Sequence, residues 1–138
     1  MVARYALLLL LAACATSGGR PASTVRGCWI DRTPEATTTM RWLPDRGSPR
    51  ALIGESMIYT PQGAAQGARY RLEQRGEGWV LCRLDAADDA CWPVSGAPSG
   101  PLAPGRVAVQ GSGEHLHITR IADDIVEDIF VGRRDGCD

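Results

Sequence analysis

Arg69-Tyr70-Arg71-Leu72-Glu73 alternates charge with apolar bulk at every step. Successive side chains of an extended chain point to opposite faces, so Tyr70 and Leu72 share one face and the three charges share the other. His115-Leu116-His117-Ile118-Thr119 repeats the pattern, with Leu116 and Ile118 on the dry face. Strands with one dry and one wet face belong to antiparallel sheets, because parallel sheets are covered on both sides.

Outward from these two stretches the chain breaks into short β-rich segments. They are Gly27–Asp31, Thr37–Leu43, Ala51–Thr60, Ala68–Gln74, Gly78–Leu84, Ala90–Val94, Arg106–Gln110, His115–Ile121 and Ile125–Arg133. Turn residues separate them at Pro44-Asp45-Arg46-Gly47, Pro61-Gln62-Gly63, Arg75-Gly76-Glu77-Gly78 and Gly111-Ser112-Gly113. The proline-rich stretch Gly96–Gly105 reads as a surface loop. Short strands at this spacing predict an all-β, antiparallel, up-and-down barrel of roughly eight or nine strands. One segment has two readings. In Ile121–Phe130 the apolar residues recur with a helical period of about four, while the β-branched run Ile129-Phe130-Val131 favours a strand. A turn at Asp123-Asp124 followed by a final strand is the preferred reading, and a short amphipathic helix the alternative.

The chain has 138 residues, 15 basic against 16 acidic side chains and a net charge of −1. That length fits one domain. The near-neutral balance gives no reason to expect a nucleic-acid partner. Every basic residue is arginine, which reads as the codon bias of a GC-rich genome rather than as a binding cluster.

Leu11-Ala12-Ala13-Cys14 follows the apolar run Ala6–Leu11, with Arg4 ahead of it. A charged start, an apolar run and a small-residue cleavage site make a secretory signal. The run is far shorter than the ~20 residues of a spanning helix. The segment resembles the lipobox of bacterial lipoproteins. The resemblance implies removal of residues 1–13 and lipidation of Cys14, and Ala15 in place of Asp implies sorting to the outer membrane, facing the periplasm. An ordinary signal peptide cut near Ala13 or Ala15 is the plainer reading. Residues 14–25 are small, polar and broken by Gly and Pro, as in a flexible tether. The folded domain is then 26–138.

Export bears on the remaining cysteines, Cys28, Cys82, Cys91 and Cys137. Four cysteines in an oxidising compartment imply two disulfides, with three possible connectivities. Cys82 and Cys91 flank a turn-like Asp85–Asp89 stretch and suit neighbouring hairpin strands, which leaves Cys28 with Cys137. A zinc site is the weaker reading, because no pair has C-x2-C spacing.

No constellation reads as catalytic, so the chain is expected to be non-enzymatic and to need no cofactor. Ser56 in Gly54-Glu55-Ser56-Met57 lacks the nucleophile-elbow pattern. His115 and His117 share a strand face but have no third ligand there, so two solvated histidines are expected rather than a metal site. The acids Asp123, Asp124, Glu127 and Asp128 lack the spacing of a calcium loop and read as a solvated face. The aromatics remain. Trp29, Trp42, Tyr59, Tyr70, Trp79 and Trp92 come from different strands, and the inward ones converge in a closed barrel. They form either the packed core or the lining of a small apolar ligand pocket, with Trp29, Trp42, Tyr70 and Trp79 the candidate contacts.

Gly27-Cys28-Trp29, Met40-Arg41-Trp42 and Ala51-Leu52-Ile53-Gly54-Glu55 resemble the opening strands of uncharacterised bacterial lipocalin-like domains, over about residues 27–84. That resemblance implies a small antiparallel barrel and no known activity. Gly67-Ala68-Arg69-Tyr70, followed by Trp79, is similar to the inhibitory segment of periplasmic lipoprotein inhibitors of c-type lysozyme, although Gln66 stands where their serine would be. It implies that Arg69 and Tyr70 contact the cleft of a cell-wall hydrolase. The expected function is therefore a membrane-anchored envelope lipoprotein binding a small apolar ligand, with hydrolase inhibition as the alternative.

Intact mass spectrometry of protein extracted from its own membranes checks the N-terminus. The expected mass is residues 14–138 plus acyl chains, less the hydrogens lost to two disulfides. Cys14→Ser is expected to abolish both the acyl mass and partition into the detergent phase.

Overall fold

The alternating stretch Arg69–Glu73 lies in β4 (Gly63–Arg75), between β3 (Ser48–Thr60) and β5 (Gly78–Arg83). The structure, a computed structural model, describes residues 21–85, 90–95 and 105–137. The expected leader, Cys14, most of the proline-rich loop and residues 86–89 lie outside the described residues.

The other strands are β1 (Gly27–Arg32), β2 (Thr37–Asp45), β6 (Ala90–Pro93), β7 (Val107–Gly111), β8 (His115–Ala122) and β9 (Ile125–Asp135). All nine form one sheet in the order β6-β5-β4-β3-β2-β1-β9-β8-β7. Each ladder between neighbours is antiparallel. The two outer strands meet at a single parallel bridge, Val94 to Val107, where the Ser95 amide donates to the Val107 carbonyl at 2.7 Å. The sheet is a nearly closed antiparallel barrel, as the alternation implies. β3 and β4 are longer than their apolar runs because they continue into an exposed hairpin beyond the barrel wall.

The inner faces supply the core. Trp29, Trp42, Leu72, Leu81, Val107 and Leu116 are fully buried, and Ile118 and Phe130 nearly so. Room for Trp42 comes from Gly54 across the β2–β3 ladder: a Cβ there would stand 2.7 Å from the indole ring. Gly132 makes the same space for Phe130. A bulge lies between Glu55 and Met57, where Ser56 is buried and donates to the Ala68 carbonyl at 2.9 Å.

The end of the expected tether needs correction. Pro21–Val25 is a short helix, α1, and Val25 is fully buried in the core. Proline suits a first helical position because its missing N–H would be unpaired there. The Trp29 indole donates to the Val25 carbonyl at 2.7 Å, and Thr24 packs over Gly111 of β7. Residues 21–25, expected in the tether, are therefore part of the fold. The Arg134 guanidinium stacks 4.0 Å from the centre of the Trp29 ring and donates to the Arg26 and Gly113 carbonyls, completing this closed end.

Asp123 and Asp124 form the β8–β9 turn, at φ of 50° and 63°. Positive φ at both central positions matches strand twist, and Asp tolerates it better than bulky residues do. The segment is thus turn and strand, not helix. Cys28–Cys137 joins the first strand to the chain's end, and Cys82–Cys91 joins β5 to β6. In the chain-entropy model, which is disputed, these closures are worth about 4.7 and about 2.5 kcal/mol respectively.

Gly54→Ala is expected to destabilise the fold by about 1–3 kcal/mol through overpacking against Trp42. Urea denaturation followed by tryptophan emission checks it, and an unchanged midpoint would refute the close contact.

Candidate functional site

The four aromatic candidates divide between two places. Trp29, Trp42 and Tyr70 sit inside the barrel within one apolar cluster, and the Trp42 and Tyr70 rings stack with centroids 6.5 Å apart. They are packed core. Trp42 Nε1 has no hydrogen-bond partner among the described residues. Trp79 instead packs against the cluster from the barrel end and lines a groove of about 540 Å³.

That groove is built from three elements. α1 contributes Ala22 and Ser23, followed by Arg26. The β2–β3 hairpin contributes Pro44, Pro49, Arg50, Ala51 and Leu52, and the β4–β5 hairpin Gln74 and Trp79. Ala51, Leu52, the two prolines and Trp79 supply the apolar part of its lining, and polar groups supply nearly as much. Arg26 and Arg50 are exposed at its edge, and neither forms an ion pair among the described residues. The groove thus joins an apolar surface to uncompensated positive charge. The sequence named Trp79 but missed its partners. The only available signal was the pairing of hairpin prolines with Arg50, which has no periodicity to reveal it.

The opposite mouth is charged but internally paired. Arg83 donates to both carboxylate oxygens of Asp85, at 2.9 and 3.3 Å. Arg120 pairs with Glu127 at 2.7 Å and lies 4.7 Å from the centre of the Trp92 ring. Burial pushes the Tyr70 phenol up, partly countered by Arg83, with Asp85 adding to the rise and Arg120 again opposing it.

Arg69 and Tyr70 project to opposite faces. Tyr70 is buried, whereas Arg69 pairs with Glu55 on the outer wall at 3.2 Å. A second outer network runs from Asp45 to Arg71 at 2.8 Å, on to Glu73 at 2.8 Å and so to Arg75. Burial pushes the Glu73 carboxyl up, but hydrogen bonds from Arg75 and Arg71 outweigh it and hold the group below its ordinary range.

The remaining candidates do not converge. His117 Nε2 contacts Asp128 at 2.7 Å, while His115 is exposed. Asp123 and Asp124 form the turn, and Glu127 faces Arg120. No group of three or more His, Cys, Asp or Glu suited to a metal occurs among the described residues. Among the same residues no helix is long and apolar enough to cross a membrane. The chain matches no protein-family model, no curated protein and no solved structure.

The Glu73 network makes a pH prediction. A carboxyl with a depressed folded pKa adds stability above its ordinary value of 4.5, and that stability fades as pH falls through the folded value. Glu73→Gln should therefore destabilise at pH 7, with the difference from wild type shrinking progressively below 4.5. Thermal denaturation across that range checks it, and a constant difference would refute it.

Proposed function

We propose that this chain is a non-enzymatic, lipid-anchored lipoprotein of the bacterial envelope that holds a small apolar ligand bearing an acidic group. The observation that carries this reading is the groove at the α1 end of the barrel, where apolar lining adjoins Arg26 and Arg50. Ligand pockets of this size are mostly apolar, with a few polar groups that fix orientation. Guanidiniums left without carboxylate partners suit a carboxylate or phosphate head. The filled interior moves the ligand from the barrel centre, where Trp29, Trp42 and Tyr70 are packed, to its end.

The expected anchor would suit the same placement. The segment from Cys14 to Pro21 reaches at most about 25 Å when extended. A lipid on Cys14 would hold the α1 end, and the groove with it, close to the outer-membrane surface on its periplasmic side. The alternative, inhibition of a cell-wall hydrolase, asks Arg69 and Tyr70 to share one contact surface, and their opposite orientations do not favour it.

Titration with a dansyl-labelled undecanoate tests the reading. Saturable one-to-one binding is expected, with energy transfer from tryptophan. Trp79→Ala should weaken it about tenfold or more, the loss expected from removing ~1.5–3 kcal/mol of apolar contact. Arg50→Gln should weaken the acid but not its methyl ester. Absence of saturable binding, or binding indifferent to both substitutions, would overturn it.

A further inference from the structure

We infer that the Cys82–Cys91 disulfide is a thiol-exchange site, attacked at Cys91 and released at Cys82, and that it latches the weak seam of the barrel. Three observations meet there. Strand register places Cys82 directly opposite Cys91, with Val80 opposite Pro93. The Val94 amide donates to the Trp79 carbonyl at 2.8 Å, so hydrogen-bonded pairs fall at Trp79–Val94, Leu81–Trp92 and Arg83–Ala90. The cysteines and Pro93 occupy the alternate pairs, which exchange no ladder bonds. The disulfide therefore stands at a pair that itself exchanges no ladder bond, between two pairs that do.

The two sulfurs are chemically unequal. Cys82 is 3% exposed and Cys91 is exposed, so an incoming thiolate reaches Cys91 first. Arg75 Nη2 stands 3.6 Å from Cys82 Sγ, placing a guanidinium on the leaving atom. Glu73 orients that arginine through a hydrogen bond from its Nε at 2.6 Å. Among the described residues neither sulfur of Cys28–Cys137 accepts a hydrogen bond.

The step balances with an external thiol as co-reactant. Its thiolate attacks Cys91 Sγ, a mixed disulfide forms, and the Cys82–Cys91 bond breaks with its electron pair moving to Cys82 Sγ. Arg75 stabilises the resulting thiolate, and exchange is faster when the leaving thiolate is more stable. A second external thiolate then releases Cys91 and forms the oxidised external disulfide. Attack by Cys82 on the mixed disulfide reverses the first step and ejects the external thiolate. Opening leaves a four-residue strand containing a proline held to β5 by its short ladder alone and on its far side by the single Val94–Val107 bridge. The seam between β6 and β7 loosens, and Trp92 loses its place beneath Arg120.

The test incubates the folded protein with reduced glutathione, quenches with acid, alkylates, and maps both disulfides by peptide mass spectrometry. Glutathione is expected on Cys91, free thiol on Cys82, and Cys28–Cys137 intact at that stage. Arg75→Gln should slow the exchange roughly three- to tenfold, and Arg75→Lys should restore part of the rate. Glu73→Gln, which retains the guanidinium but weakens its orienting hydrogen bond, should slow it less than Arg75→Gln. Glutathione on Cys82, equal rates at the two disulfides, or a rate unchanged in Arg75→Gln would each overturn the proposal.

Discussion

Strand parity governs this barrel. Neighbours alternate in direction around an antiparallel ring, and a ring of odd number cannot alternate all the way round. With nine strands, one junction must be parallel. It falls between β6 and β7, where the structure shows one bridge in place of a ladder. The bridge sets the end of β6 beside the start of β7, with the Ser95 amide donating to the Val107 carbonyl at 2.7 Å. A short strand, a proline within it and a disulfide beside it all occur at the junction where the ring cannot pair as it does elsewhere.

The interior obeys a second constraint, of volume. Small barrels hold little more than side chains. Two indoles fit here because glycine lies where a Cβ would strike Trp42, and because α1 inserts Val25 at one end. Filling the centre gives a stable core but leaves no space for a ligand among those rings. Any apolar binding surface has to lie at an end or on the wall. The wall between β2 and β4 is covered by ion pairs linking Glu55 with Arg69, and Asp45, Arg71 and Glu73 in series. The mouth near Tyr70 has its guanidiniums paired with Asp85 and Glu127. The α1 end keeps both apolar surface and unpaired cations.

Much of the barrel was legible in the chain. Period-two patterning at Arg69–Glu73 and His115–Thr119 identified inward residues correctly, because alternation is a direct consequence of extended geometry. The pairing of Cys82 with Cys91 followed from their closeness across a turn. α1 was not legible. Pro21-Ala22-Ser23-Thr24-Val25 has tether-like composition, and its helical state depends on burial of Val25 and the indole hydrogen bond to it. Both contacts join residues to surfaces built by the rest of the domain. The groove was hidden for the same reason, since its walls come from α1 and two hairpins distant in sequence. Trp79 could be named as an aromatic but not separated from Trp29 and Trp42, because strand position alone does not distinguish the middle of a barrel from its rim.

Placement of the groove has a physical logic linked to the chain's start. α1 packs on the barrel, so it shapes both the closed end and one groove wall. Arg134 holds that arrangement from the other terminus, through Trp29 and the Arg26 carbonyl. Arg26 is therefore fixed in backbone while its side chain remains unpaired at the groove edge. If the N-terminus carries a lipid, the surface that meets the membrane and the surface that meets the ligand are the same end of the molecule. A ligand entering from the bilayer then has the shortest path to the apolar lining, and its acidic head meets Arg26 and Arg50 as it leaves the headgroup layer. The charges at the far mouth are paired with one another, and solvated ion pairs of that kind carry little cost.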